Sequence, residues 1–89
     1  MYKAELEKQS LPIKLFASLR QAMNSDVIKI NIDNEITVFQ MKKIISETFP
    51  NLKKLNIQFF VAVNYNYATD SDVIGINDEI ALIPPVSGG

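Results

Sequence analysis

The sequence predicts an α+β domain: a mixed β-sheet covered on one face by one main helix, with an arm protruding at the C-terminus. Three observations lead there. Apolar residues recur with the two-residue period of half-buried strands at Ile13, Leu15 and Ala17, and again at Ile28, Ile30 and Ile32. A helical period follows, with Val38, Met41, Ile45 and Thr48 on one face. A last strand-like run, Ile80-Ala81-Leu82-Ile83, stops at Pro84-Pro85 and is followed only by Val86-Ser87-Gly88-Gly89.

The elements follow in order. Residues 1–11 are read as a polar N-terminal extension, residues 12–83 as the folded domain and residues 84–89 as the tail. Pro12 opens the first strand, whose Lys14, Phe16 and Ser18 face away from the core. Leu19 to Met23 favours one or two helical turns, and Asn24-Ser25-Asp26 is a turn cluster. The second strand is placed to pair antiparallel with the first. Asp33-Asn34-Glu35 breaks it, and Thr37-Val38-Phe39-Gln40 matches a capping box that opens the main helix. Ile44 and Phe49 flank its apolar stripe, and Pro50 ends it.

Asn51 to Asn56 is a connector with room for a short helical turn. Phe59 to Val63 suits a central strand, Asn64-Tyr65-Asn66 a tight turn, and Tyr67-Ala68-Thr69 a short return strand. Asp70-Ser71-Asp72 reads as a solvated loop, because two acids without further ligands in register do not make a cation site. Asn77-Asp78 is the next turn, where Asn77 tolerates the left-handed conformation that Gly would otherwise supply. Glu79 to Ile83 is the last strand. The order strand, strand, helix, strand, short strand, strand is that of a β-grasp, the ubiquitin-like architecture, whose C-terminal strand lies mid-sheet.

Composition narrows the chemistry. The 89 residues make one domain, and 47% hydrophobic with 21% charged residues is an ordinary globular balance. The net charge is −1 and the basic residues are scattered, which gives no surface for tracking nucleic-acid phosphates. Cysteine, histidine and tryptophan are absent. That removes disulfides, thiolate metal sites, cysteine nucleophiles and the usual general base near neutral pH. No metal site and no bound cofactor are expected, and catalysis by this chain's own side chains is not. No stretch is long and apolar enough to span a membrane, and the N-terminus lacks the layout of a signal peptide, so a cytoplasmic soluble protein is expected.

The tail carries the functional signal. Neither proline can donate to a ladder, so the strand ends and an extended arm begins. Fully stretched, six residues reach about 20 Å. Gly88 and Gly89 lack a Cβ and can enter a channel too narrow for other residues, presenting the Gly89 carboxylate for activation.

At Ile83-Pro84-Pro85-Val86-Ser87-Gly88-Gly89 the sequence resembles the small subunits of molybdopterin synthase, sulfur carriers of molybdenum-cofactor biosynthesis. Leu15-Phe16-Ala17 with Arg20, Ala62-Val63-Asn64 and Asn77-Asp78-Glu79-Ile80 add to the likeness, although the family usually has Gly where Asn77 stands. The resemblance covers about residues 12–89 and implies a mechanism. A ubiquitin-activating-type adenylyltransferase would adenylate Gly89 with ATP, and a sulfur donor would convert it to a thiocarboxylate. The tail would then thread into the large synthase subunit and deliver sulfur to a cyclic pyranopterin precursor. Acid–base residues would lie on the large subunit, in a heterotetramer. Gly88 would give clearance, while Ser87, Val86, Pro85 and Pro84 would set reach and direction.

Strand parity turns Phe16 and Ile83 outward, and exposed apolar residues at the base of a tail read as a docking patch. The resemblance adds Arg20 and Tyr67 to that surface. Two other functions share the Gly-Gly end: a sulfur carrier of the thiamine type, which usually lacks Pro-Pro-Val-Ser, and a ubiquitin-like protein modifier.

Overall fold

The computed structural model describes residues 8–54 and 58–85. The chain runs β1 (Gln9–Leu15), α1 (Ala17–Met23), β2 (Val27–Ile32), β3 (Glu35–Thr37), α2 (Val38–Thr48), α3 (Pro50–Lys54), β4 (Phe60–Val63), β5 (Asn66–Tyr67), β6 (Val73–Gly75) and β7 (Ile80–Ile83). One mixed five-stranded sheet has the order β2-β1-β7-β4-β5, and β3 with β6 forms a separate ribbon. The expected β-grasp is the observed architecture, with the last strand at the centre of the sheet.

Alternation gives the sheet one dry face. Leu11, Ile13 and Leu15 of β1, Ile28, Ile30 and Ile32 of β2, and Ile80 and Leu82 of β7 are all buried beneath the helices. β1 starts at Gln9, so the boundary expected at Pro12 falls inside the strand. Leu11 pairs with Ile30 and is fully buried, and that burial draws the preceding residues into the ladder. Pro12 is accommodated because the pairing of β1 with β7 begins only at Ile13.

The strand also ends earlier than its alternation implies. Phe16, at φ −128° and ψ 154°, is the N-cap of α1, and Ala17 at φ 51° turns the chain into the helix. Ala17 is therefore exposed rather than part of the core. α1 buries Leu19 and closes on a left-handed Asn24, where the Asn24 N–H donates to Gln21 O and the Ser25 N–H to Arg20 O. This pair of bonds satisfies carbonyls that the helix end would otherwise leave unpaired.

α2 begins as expected. Gln40 N–H donates to Thr37 Oγ1 at 3.1 Å, and Thr37 N–H donates to Gln40 Oε1 at 2.9 Å. Val38, Met41 and Ile45 form its buried stripe, but Thr48 is exposed. Half-buried Phe49, one turn beyond Ile45, takes the place expected of Thr48. α3 adds Leu52 to the core from within the expected connector.

The β3–β6 ribbon was not legible as strands, since three residues are too few to show a period. It pairs Ile36 with the fully buried Ile74 and covers one end of the core. Asn77 is not left-handed. Asp78 holds that turn instead, with its N–H donating to Gly75 O at 3.1 Å and its Oδ2 accepting from Gly75 N–H at 2.8 Å.

Two substitutions rank these contributions. Leu82→Ala, fully buried in the central strand, is expected to lower unfolding free energy by about 3 kcal/mol in urea titration. Thr37→Ala removes one half of the capping box and should cost about 1 kcal/mol in the same measurement.

Candidate functional site

Among the described residues nothing covers the second face of the sheet, and its centre is a groove. Across it, Lys14 of β1 pairs with Ala81 of β7, Ala81 with Ala62 of β4, and Ala62 with Tyr67 of β5. Two alanines in mid-row leave a depression where larger side chains would fill the surface. Phe16, Lys14, Tyr65 and Tyr67 wall it, giving a cavity of about 370 Å³.

Its long axis follows β7. Alternation sends Glu79, Ala81 and Ile83 to this face, so the groove runs from an acidic end at Glu79 to an apolar end at Ile83. Pro84, half-buried, and Pro85, exposed, come next. The root of the tail is therefore the end of the groove. Val86, Ser87, Gly88 and Gly89 lie outside the described residues.

Of the four residues expected to form a docking surface, Phe16, Tyr67 and Ile83 line this one groove. Arg20 does not. It pairs with Asp26, Nε to Oδ1 at 3.6 Å, and borders an adjoining hollow that also touches Phe16 and Lys14. Phe60 belongs to the same face and was not singled out by the sequence. It pairs with Ile83, is 54% exposed, and meets Tyr67 edge-on with ring centroids 5.7 Å apart. Parity within Phe59 to Val63 could have found it, because Phe60 and Ala62 share the outward phase.

A polar clasp closes the far end. Asn64 N–H donates to Glu79 O at 2.8 Å, Asn64 Oδ1 accepts from Glu79 N–H at 2.9 Å, and Asn64 Nδ2 donates to Asp78 Oδ1 at 3.0 Å. Lys14 Nζ reaches Glu79 Oε2 at 2.7 Å, and the Tyr65 hydroxyl lies 3.2 Å from both oxygens of that carboxylate. The hydrogen bond from Lys14 holds Glu79 below the usual carboxylate range, and the same bond raises Lys14. Asp78 is lowered by the Asn64 amide and then by the Gly75 N–H.

Among the described residues no cluster of His, Cys, Asp or Glu could hold a metal ion, and no polar or charged side chain is buried. The acids of the 70–72 loop are engaged locally, Asp70 by Lys42 at 2.8 Å and Asp72 by the Thr69 N–H at 2.9 Å. What the arrangement offers is a surface for recognition: an apolar trough with one polar end, beside Pro84 and Pro85.

The clasp predicts a pH profile. Glu79 and Asp78 titrate below their unfolded values, so their contribution is present above the unfolded carboxylate range and is lost as pH falls through the folded one, below about pH 4. Lys14 titrates above its unfolded value, so its contribution is present below about pH 10 and is lost as pH rises further. Thermal unfolding midpoints should fall at both extremes, and Glu79→Gln should flatten both limbs. Added salt should shrink the effect, because the Lys14 and Glu79 side chains of the ion pair are solvent-accessible.

A model of the ThiS family matches residues 13–89. The molybdopterin synthase sulfur carrier subunit of Dictyostelium discoideum is 38% identical over 80 residues, spanning 86% of this chain and 93% of that protein. Among solved structures, SAMP1 from Haloferax volcanii superposes with a TM-score of 0.77 at 28% identity, covering 91% of this chain and 100% of that one. Subunit 1 of the Helicobacter pylori molybdopterin-converting factor is part of a solved protein–protein complex with subunit 2. The match to that complex shares the fold, with a TM-score of 0.61 at 20% identity over 91% of this chain and 100% of that one. The chain belongs to the ThiS family and is similar to the sulfur carrier subunits of molybdopterin synthase.

Proposed function

We propose that this chain is the sulfur carrier subunit of molybdopterin synthase, with the Gly89 carboxylate as the carrier group. The observation that carries the reading is the double position of Ile83. It ends the central strand as a wall of the groove and immediately precedes Pro84-Pro85. A protein seated in the groove therefore meets the root of the arm. The large synthase subunit docks there and receives the arm, whose six residues reach about 20 Å when extended.

The chemistry follows from a carboxylate that must become a sulfur donor. Its oxygen attacks the α-phosphorus of ATP in the activating enzyme, releasing pyrophosphate and leaving an acyl-adenylate. Sulfide supplied by the sulfur donor attacks the acyl carbon and displaces AMP, leaving a thiocarboxylate. In the large subunit the thiocarboxylate sulfur attacks a carbon of the pyranopterin precursor and displaces an oxygen substituent; water then cleaves the acyl–sulfur bond, leaving the sulfur on the precursor and Gly89 as a carboxylate. ATP is bound by the activating partner and not by this chain. Proton transfers fall to the large subunit, in keeping with a sequence that has no histidine or cysteine. The Dictyostelium relative supports this assignment over a thiamine-type carrier, as does the Pro-Pro-Val-Ser run before the glycines.

A second reading is a ubiquitin-like modifier, in which activated Gly89 acylates a lysine of a target protein. The likeness to SAMP1, a small archaeal modifier protein, favours it.

Intact-mass spectrometry after incubation with ATP, a cognate activating enzyme and a sulfur source tests the carrier reading. The expected result is a gain equal to oxygen replaced by sulfur, absent when Gly88-Gly89 is deleted. The truncated protein should keep its unfolding midpoint and lose all sulfur transfer. An unchanged mass, with the same enzyme active on another carrier, would refute the assignment. Covalent adducts surviving denaturing electrophoresis would identify the modifier.

A further inference from the structure

Tyr65 occupies a backbone conformation that works against its own side chain. β4 and β5 are joined by a two-residue turn, with Asn64 at φ 52° and Tyr65 at φ 73°. Such turns need left-handed backbone at both positions and favour Asn followed by Gly. Asn64 fits, and three hydrogen bonds to Asp78 and Glu79 anchor it. Tyr65 stands where glycine is preferred, and its crowded left-handed backbone is a source of strain.

The fold returns little for that strain. Tyr65 is 84% exposed, so its ring buries little apolar area. Its hydroxyl contacts Glu79, a carboxylate that Lys14 already holds at 2.7 Å. The turn's hydrogen bonds come from Asn64 and would survive a glycine beside it.

The ring's position accounts for its presence. It lines the groove together with Phe16, Tyr67 and Ile83, over the floor of Ala62 and Ala81. The contact with Glu79 holds it at that end of the trough, so an aromatic wall stands ready before any partner arrives. The groove's cation and anion, Lys14 and Glu79, are paired with each other. An incoming apolar side chain therefore meets no unpaired charge among the described residues that line the groove.

We propose that Tyr65 is a specificity-determining residue of the docking groove, the wall against which an apolar side chain of the large synthase subunit packs. The strained turn is kept for that contact. The inference rests on the docking role given above, and the experiment separates the two.

Affinity for the cognate large subunit is measured by calorimetry, and the unfolding midpoint of each free variant by thermal scan. Tyr65→Gly should move the two in opposite senses. Relief of the left-handed strain raises the midpoint by a few degrees, while loss of the wall weakens binding about tenfold. Tyr65→Phe keeps the wall and should weaken binding no more than about threefold. A residue kept only for the fold would lower the midpoint and affinity together, and that result would overturn the proposal. So would a Tyr65→Gly protein that binds as tightly as the parent. The double variant Phe16→Ala, Tyr67→Ala locates the failure. If it loses affinity while Tyr65→Gly does not, Tyr65 alone has been misassigned. If neither variant weakens the complex, the docking role of the groove is wrong as well.

Discussion

Strand β7 is hydrogen-bonded on both edges, parallel to β1 and antiparallel to β4. Its two faces meet different surroundings, with Ile80 and Leu82 in the core and Ala81 and Ile83 on the groove. Slipping this strand by one residue would exchange those sets, placing the small Ala81 in the core and two large apolar residues in the open trough. Core packing thus fixes the register that shapes the groove, and the position of Ile83 fixes where the arm starts. Fold and site share one constraint.

The groove itself is an absence of volume. Most sheets with one open face carry long polar side chains there, and β2 does so with Lys29 and Asn31. The two middle positions of the central row are alanines instead, between Lys14 and Tyr67. Aromatic side chains then rise around a low floor, which suits insertion of a partner's side chains. The polar clasp at the Glu79 end keeps its donors and acceptors matched, so that end is structured without being buried.

Much of this was legible in the sequence, for identifiable reasons. The alternation at Ile28, Ile30 and Ile32 and the capping box at Thr37 are local signals, and both elements lie where they were expected. Phe16 and Ile83 were placed outward and do line the groove, although Phe16 lies in a helix cap and not in the strand assumed for it. The start of β1 and the β3–β6 ribbon depend on long-range pairing, which short runs do not announce. The residue type of Asn77 would tolerate a left-handed turn, but the turn does not use it, because Asp78 closes it with a side-chain hydrogen bond. The clasp was hidden for a similar reason. Lys14, Asn64, Tyr65 and Glu79 come from three separate parts of the chain, and only the strand pairing brings them together.

The central placement of β7 also has a mechanical meaning. A tail drawn into a partner's channel, as proposed, would pull on the strand that carries it, along the strand's own axis. Ladder bonds run across that axis on both sides of β7, so a pull loads them together in shear instead of opening them one after another. Asn64 adds a further tie at the start of β7, the end remote from the arm. In the proposed carrier role, tension at the tip would thereby be met by the whole sheet, and the root of the tail would stay in place through repeated cycles of capture and release.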